Sequence, residues 1–369
     1  MNYLDEFRDG ALGQKLLHRI QQAVRPEKSY RFMEFCGGHT HALFRYGIPD
    51  LLPANVSMIH GPGCPVCVLP MARVDQAIAL ARLPGVILCS YGDMLRVPGA
   101  RGVSLLKARA EGADVRMVYA VSDAVALAQQ FPDRDVIFFA IGFETTTPPT
   151  ALALQQARAL GLTNFSVFCN HVLTPPAMEA ILSGIPAAEP GLDGLVGPAH
   201  VSTVVGTAPY VPIAQRWHLP IVVAGFEPLD VLQALLQLII QVNEGRAEVE
   251  NQYTRAVRPN GNPKAQQVVN EVFEIRSQFE WRGLGGLADS ALKIRDIFSP
   301  WDAEKRFKTT IPRGKENPAC DCPDVLRGMK SPKDCKLFGA PCTPDHPMGA
   351  CMVSSEGACA AHYRYRSET

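Results

Sequence analysis

The chain has 369 residues, of which 47% are hydrophobic and 20% charged, with 36 basic side chains against 36 acidic ones. That length allows two or three domains with proper cores, and a neutral balance without a basic run offers no electrostatic footing for nucleic acid or an anionic membrane. The opening MNYLDEFRDG lacks a basic segment followed by an apolar one, and the longest apolar stretch, VLQALLQLIIQV, is broken by glutamines and too short to span a bilayer, so the protein reads as cytoplasmic.

Residues 1–54 form an N-terminal segment in which the apolar run YRFMEF leads into CGGHTH, carrying Cys36, His39 and His41. From about 55 to 245, short apolar runs alternate with helical stretches. Strands are predicted at 56–59, 85–90, 115–120, 136–141, 165–170, 194–199 and 220–225, and helices at 70–83, 101–112, 122–131, 149–160, 175–184 and 228–244. Strands that are apolar throughout are parallel strands covered on both faces. Their alternation with helices predicts an α/β fold of two doubly wound parallel-sheet domains, one from 55–113 and about 220–245, the other from 114–219. VILCSYGDMLRVP (86–98) and VIFFAIGFETTTP (136–148) echo each other, which hints at two similar halves. Beyond 246 a basic linker precedes a predicted helix at 264–279 and a Gly-rich stretch. The tail from about 311 is rich in Cys, Pro, Gly and Lys, so 246–369 reads as a loop-rich, partly helical module that needs a metal or disulfides to hold it.

Eleven cysteines are unevenly spread. Cys89 and Cys169 sit alone in apolar runs. Cys64 and Cys67, in GPGCPVC, fall in a strand-to-helix loop. A C-x-x-C there is a redox or metal signal in a reducing compartment, against the plainer reading of two structural thiols. Cys36 with nearby imidazoles suits a metal site or a nucleophile with a base, or else a buried thiol beside surface histidines, and Gly37 and Gly38 would let backbone approach a bulky group. Loops after parallel strands converge outside the carboxyl ends of a doubly wound sheet. By that rule Glu144 with Thr145, Thr146 and Thr147, then Asn170 and His171, His200, and Glu227 are further strand-end candidates, each with a capping or structural alternative. The last fifty residues hold Cys320, Cys322, Cys335, Cys342, Cys351 and Cys359. Their irregular spacing fits four-thiolate ligation of a [4Fe-4S] cluster better than the two close pairs of a zinc site or disulfides alone, with two thiols left over. No Walker loop, dinucleotide glycine motif or C-x₃-C-x₂-C triad is present.

FCGGHTH, GPGCPVC, IGFETTTP, NHVLTPPA and the tail CDCPDVLRG…CKLFGAPCTPDHPMGACMVSSEGAC together resemble the HypD-type hydrogenase maturation factors, in order and over nearly the whole chain. The resemblance implies a scaffold for the Fe(CN)₂CO unit of [NiFe]-hydrogenase, working with a small HypC-type chaperone and a HypE-type cyanide donor. It implies that Cys36 ligates the iron being dressed, that Cys64 and Cys67 form a redox pair beside it, that four of the six tail cysteines bind [4Fe-4S], and that His39 and Glu144 support the site. Cyanide and CO suit low-spin iron(II), for which a soft thiolate is a sensible anchor. Reductive release of cyanide from its carrier calls for electrons that a dithiol and a cluster can supply. The residues alone leave a second class open, a stand-alone iron–sulfur thiol–disulfide reductase, and a third, a zinc-stapled structural protein.

Overall fold

The computed structural model describes residues 5–184, 191–309 and 317–365; the first residues of the tail expected from about 311 lie outside that range. Two parallel sheets make the body. The first has five strands in the order β2-β1-β7-β8-β9: β1 Tyr30–Glu34, β2 Val56–His60, β7 Gly194–Pro198, β8 Ile221–Ala224 and β9 Val249–Asn251. The second has four in the order β4-β3-β5-β6: β3 Val86–Ser90, β4 Asp114–Met117, β5 Asp135–Gly142 and β6 Phe165–His171. In β3, β6, β7 and β8 every residue is buried, because helices cover both faces, which is why these strands read as unbroken apolar runs. All seven predicted strands and the α/β class are present.

The sheets cut across the expected boundaries. The chain starts in the first sheet, leaves after β2 to build the whole second sheet, and returns at β7. Strands β2 and β3, grouped together within 55–113, therefore lie in different sheets, and β7, grouped within 114–219, pairs with β1. Residues 1–54 supply a central strand of the first sheet rather than a separate segment. Apolar runs say that a strand is buried, not which neighbour it takes across a long parallel crossover. The echoed segments are β3 and β5, neighbours in one sheet with Val86 beside Asp135, so the echo relates two adjacent strands and not two halves.

The predicted helix 228–244 is Pro228–Glu244, with Pro228 in its first turn and Gly245 in the left-handed conformation at its end (φ 68°). The predicted helix 264–279 is corrected: Pro263–Val272 is helical, but Phe273–Trp281 (β10) is a strand paired antiparallel with Gly285–Ile294 (β11). The alternation of Phe273, Phe279 and Trp281 with exposed polar residues is the period-two signal of a strand. Residues 246–306 also differ from the expectation that they belong to a cysteine module. β9 edges the first sheet, and Val272, Phe273, Leu292, Ile294 and Phe298 share a core with β6. The module itself is residues 317–365, made of turns and the short helices Cys322–Leu326 and Ala358–Arg364. Among the described residues no helix is long and apolar enough to cross a membrane.

The hairpin is fastened to the second sheet by Glu304, which accepts from Arg73 Nη1 (2.5 Å) and Arg276 Nη2 (2.6 Å). Arg73 lies over the Phe168 ring at 4.2 Å and is largely buried. Removing the carboxylate strands two cations, one of them desolvated. Glu304→Ala is expected to lower stability by about 2 kcal/mol, less than for a fully buried pair because Glu304 keeps some solvent, and urea denaturation of the variant measures it.

Candidate functional site

Both sheets have a point where the connections from adjacent parallel strands leave in opposite directions, and these two points face each other. In the first sheet β1 is flanked by β2 and β7; in the second β3 is flanked by β4 and β5. Loops leaving such points diverge and open a crevice. Here they line one cavity of about 460 Å³. Its wall takes Cys36 from the loop after β1, Asp93 after β3, Tyr119 after β4, Thr145 and Thr146 after β5, and His200 after β7, with Glu356 from the C-terminal module.

Cys36 precedes the helix Gly37–Arg45 and is buried. Burial first, then the nearby Glu356 carboxylate, push its thiol well above the usual range, against backbone N–H groups of Gly38 and His39 that favour the thiolate. The two glycines do not leave room for a ligand as expected. A Cβ on Gly37 would stand 2.3 Å from Glu356 Cβ, and one on Gly38 would stand 2.6 Å from the Phe226 ring, so protein side chains occupy both approaches. Gly63 comes equally close from the other side, where a Cβ would lie 2.3 Å from the Cys36 nitrogen. Gly37 N–H donates to Gly63 O (3.2 Å). The GPGCPVC loop is thus pressed onto the Cys36 loop.

Cys64 and Cys67 are joined in a disulfide, both buried. In this oxidised form neither offers a thiolate to a metal. They share one apolar cluster with Cys322, Cys342, Cys351 and Cys359, so the fold gathers the N-terminal pair and the tail thiols into a common interior. Within the module Cys322 Sγ lies 2.6 Å from Cys351 Sγ, and Cys351 also contacts Cys359. Cys335 and Cys359 are each close enough to raise the thiol pKa of both Cys320 and Cys342. Among the described residues no three His, Cys, Asp or Glu side chains converge on a point where a single metal ion would sit.

Several strand-end candidates act on the scaffold. His39 is buried and its Nε2–H is shared between the carbonyls of Ala224 (2.9 Å) and Gly225 (3.1 Å), leaving Nδ1 as the lone-pair nitrogen. Its ring packs on Phe226, which also stacks on His200. Half-buried His41 meets the Tyr365 hydroxyl (3.1 Å). Glu144 does not line the cavity; it accepts from Thr174 N–H (2.7 Å) and Thr174 Oγ1 (2.9 Å). Thr147 Oγ1 donates to Glu144 O (2.7 Å), and Thr146 Oγ1 to Ile141 O (3.2 Å). His171, its pKa pushed down to about 4 by burial, sits between Thr146 and Thr150. Asn170 is held by Arg73 and Glu227 by Arg8. Cys89 and Cys169 are core residues whose thiols burial pushes up to about 12, consistent with inert structural cysteines.

A family model described as "HypD: Hydrogenase formation hypA family" matches residues 11–366. The chain belongs to the HypD family. It is 66% identical over 368 residues to the hydrogenase maturation factor HypD of Azotobacter vinelandii, covering 99% of this chain and 97% of that one. It is 61% identical to the Rhizobium leguminosarum bv. viciae factor (99% and 96% covered) and 46% identical to that of Escherichia coli K12 (100% and 99% covered).

The structure adds residues to this HypD-family site that sequence reasoning missed: Glu34, Asp93, Phe226 and Glu356. Two had a signal. Gly92–Asp93 occupies the place in the first echoed segment that Gly142–Phe143 holds in the second, and Glu356 lies between Cys351 and Cys359. Glu34 and Phe226 had none, since their roles depend on contacts made across the chain.

Burial raises the Glu144 carboxyl pKa to about 7 from 4.5. A carboxyl whose folded pKa exceeds its unfolded one favours the folded state below the unfolded value, and that gain is lost as pH rises through the folded value. Stability should therefore fall between about pH 4.5 and 7 by on the order of 3 kcal/mol at most from this group. In Glu144→Gln, whose amide oxygen still accepts from Thr174 N–H, that segment of the profile is expected to flatten, as read by denaturation midpoints at stepped pH.

Proposed function

We propose that this HypD-family chain is the scaffold on which the Fe(CN)₂CO unit of [NiFe]-hydrogenase is put together, with iron as cargo held by Cys36. The observation that carries the reading is the single cavity shared by both sheets, where one unpaired thiol lies beside a disulfide and backs onto a thiol-rich module. The Cys36 thiolate would be a soft donor for a cation, and Asp93 and Glu356 add acid groups to the same cavity wall. Cys36 alone cannot fill an iron coordination sphere, so a small HypC-type partner supplying another thiolate at the cavity mouth, where Tyr119 is 87% exposed, fits the incomplete set. A HypE-type donor would bring cyanide. Reductive release of cyanide takes two electrons, and oxidation of the Cys64 and Cys67 thiols to their disulfide yields two electrons and two protons.

The tail fits a [4Fe-4S] cluster by its chemistry: six thiols, few backbone ladders, and a spread wider than one ion's ligand shell. Four of Cys320, Cys322, Cys335, Cys342, Cys351 and Cys359 would hold it, with two thiols left over. Bound there, a cluster would supply single electrons, two of which with two protons would return the Cys64–Cys67 disulfide to the dithiol. The chain's own part is to hold those sulfurs in one dry interior and keep water from the cavity floor. The disulfide as it stands also suits a stand-alone thiol–disulfide reductase, which would turn over without partners.

Cys36→Ala is expected to lose hydrogenase maturation and the cyanide and carbonyl infrared bands of the purified complex while its visible absorption stays. Bands that persist in this variant remove Cys36 as the anchor, and turnover of a disulfide by the isolated chain favours the reductase. For the tail, alanine should bleach the protein at four of Cys320, Cys322, Cys335, Cys342, Cys351 and Cys359 and keep its colour at the other two; colour kept in all six single variants would remove the cluster from the tail.

A further inference from the structure

Glu34 ends β1 and is fully buried, and it is not among the residues that line the cavity beside Cys36. Its Oε2 accepts from the Cys36 backbone N–H (2.8 Å). Its Oε1 accepts from Thr40 Oγ1, on the helix that Cys36 begins, and from His60 Nδ1 (3.0 Å), at the end of β2. His60 Nε2 in turn faces His362 Nε2 at 3.1 Å. His362 belongs to the helix Ala358–Arg364, whose first turn holds Cys359. Burial keeps His362 neutral, its pKa pushed down to about 3. With His60 donating from Nδ1 to Glu34, its Nε2 accepts, so His362 donates from Nε2. The Phe44 ring closes the file, 4.0 Å from the His362 ring centroid.

We propose that Glu34, His60 and His362 are positioning residues that fix Cys36 and make its placement depend on the seating of the C-terminal module. The inference rests on Cys36 being the functional thiol. One carboxylate binds the amide of Cys36, the first turn of the following helix and the end of the neighbouring strand. On its far side His60 packs on the Phe44 ring and takes its hydrogen bond from the module. A buried hydrogen-bonded file of this kind has two states, made or broken, and little between. Loss of the module's contact at His362 leaves His60 free to turn away from Glu34, and the Cys36 loop loses its inner anchor. Cargo binding at Cys36 is thereby tied to a tail in place, which guards against loading iron where its electron source is missing.

The test is selective alkylation of the full-length folded chain with iodoacetamide, followed residue by residue by peptide mass mapping, with buried Cys89 and Cys169 as internal references. Glu34→Gln places an amide N–H against a donor, and His362→Phe keeps the ring packed on Phe44 while removing only the hydrogen bond. In both variants Cys36 is expected to react about tenfold faster, the scale set by losing one charge-assisted hydrogen bond, while Cys89 and Cys169 stay protected. His362→Gln, which keeps a donor near the Nε2 position, should restore the slow rate. If Cys36 reacts at the parent rate in Glu34→Gln and His362→Phe, or if all three cysteines become reactive together, the assignment fails; acceleration in Glu34→Gln alone removes the tail from the file. Maturation that survives Cys36→Ala would instead overturn the functional reading and leave this reactivity pattern as it is.

Discussion

The approach of Gly63 to the Phe35–Cys36 backbone is the contact on which the site depends. There is no space for a β-carbon between the two loops, so the strand ends β1 and β2 bring a free thiol and a disulfide-bearing loop together with their backbones in contact. Side chains could adjust around a looser junction; two backbones in contact cannot. The remaining geometry follows from this fixed pair. The second sheet presents its own divergent loops from across the cavity, and the C-terminal module closes the gap with Glu356 packed against Gly37.

Much of the fold was legible because parallel strands covered on both faces leave a direct trace in sequence. VILCS, VIFFAI and FSVFCN admit no polar face. Strand order left no such trace, since β1 and β7 pair across nearly half of the described chain. The hairpin β10–β11 was misread for another reason: FEIRSQFEW carries good helix formers, and tertiary packing of Phe273, Phe279 and Trp281 against the second sheet overrides that preference.

The site was legible in its sulfurs and obscure in its acids. Cysteines are uncommon enough to be informative one by one, and Cys36 does line the cavity beside the Cys64–Cys67 loop. Carboxylates are too common for that. Glu144, marked by its motif, braces Thr174 from behind the cavity, while Glu34 stands two residues before Cys36 in an ordinary strand. Only the fold shows that Glu34 gathers three donors and that Glu356 reaches the thiol from the far end of the chain.

The electrostatics around Cys36 argue for a cation as cargo. Glu356 raises the Cys36 thiol pKa, and its own is raised to about 6 by burial and then by Asp93 and Glu34. A thiol and acids sharing a low-dielectric cavity oppose one another's ionisation. A nucleophilic cysteine is served by the reverse arrangement, with a cation or imidazolium lowering its pKa. Here the imidazoles give no such help: His39 and His200 are both held towards the neutral form by burial. A positive ion entering the cavity, as the proposed function requires, would relieve these oppositions by favouring the ionised thiolate and carboxylates, with release of protons. Such surroundings suit the proposed scaffold, which takes up a cation, better than a freestanding cysteine catalyst, which needs its thiolate stabilised in advance.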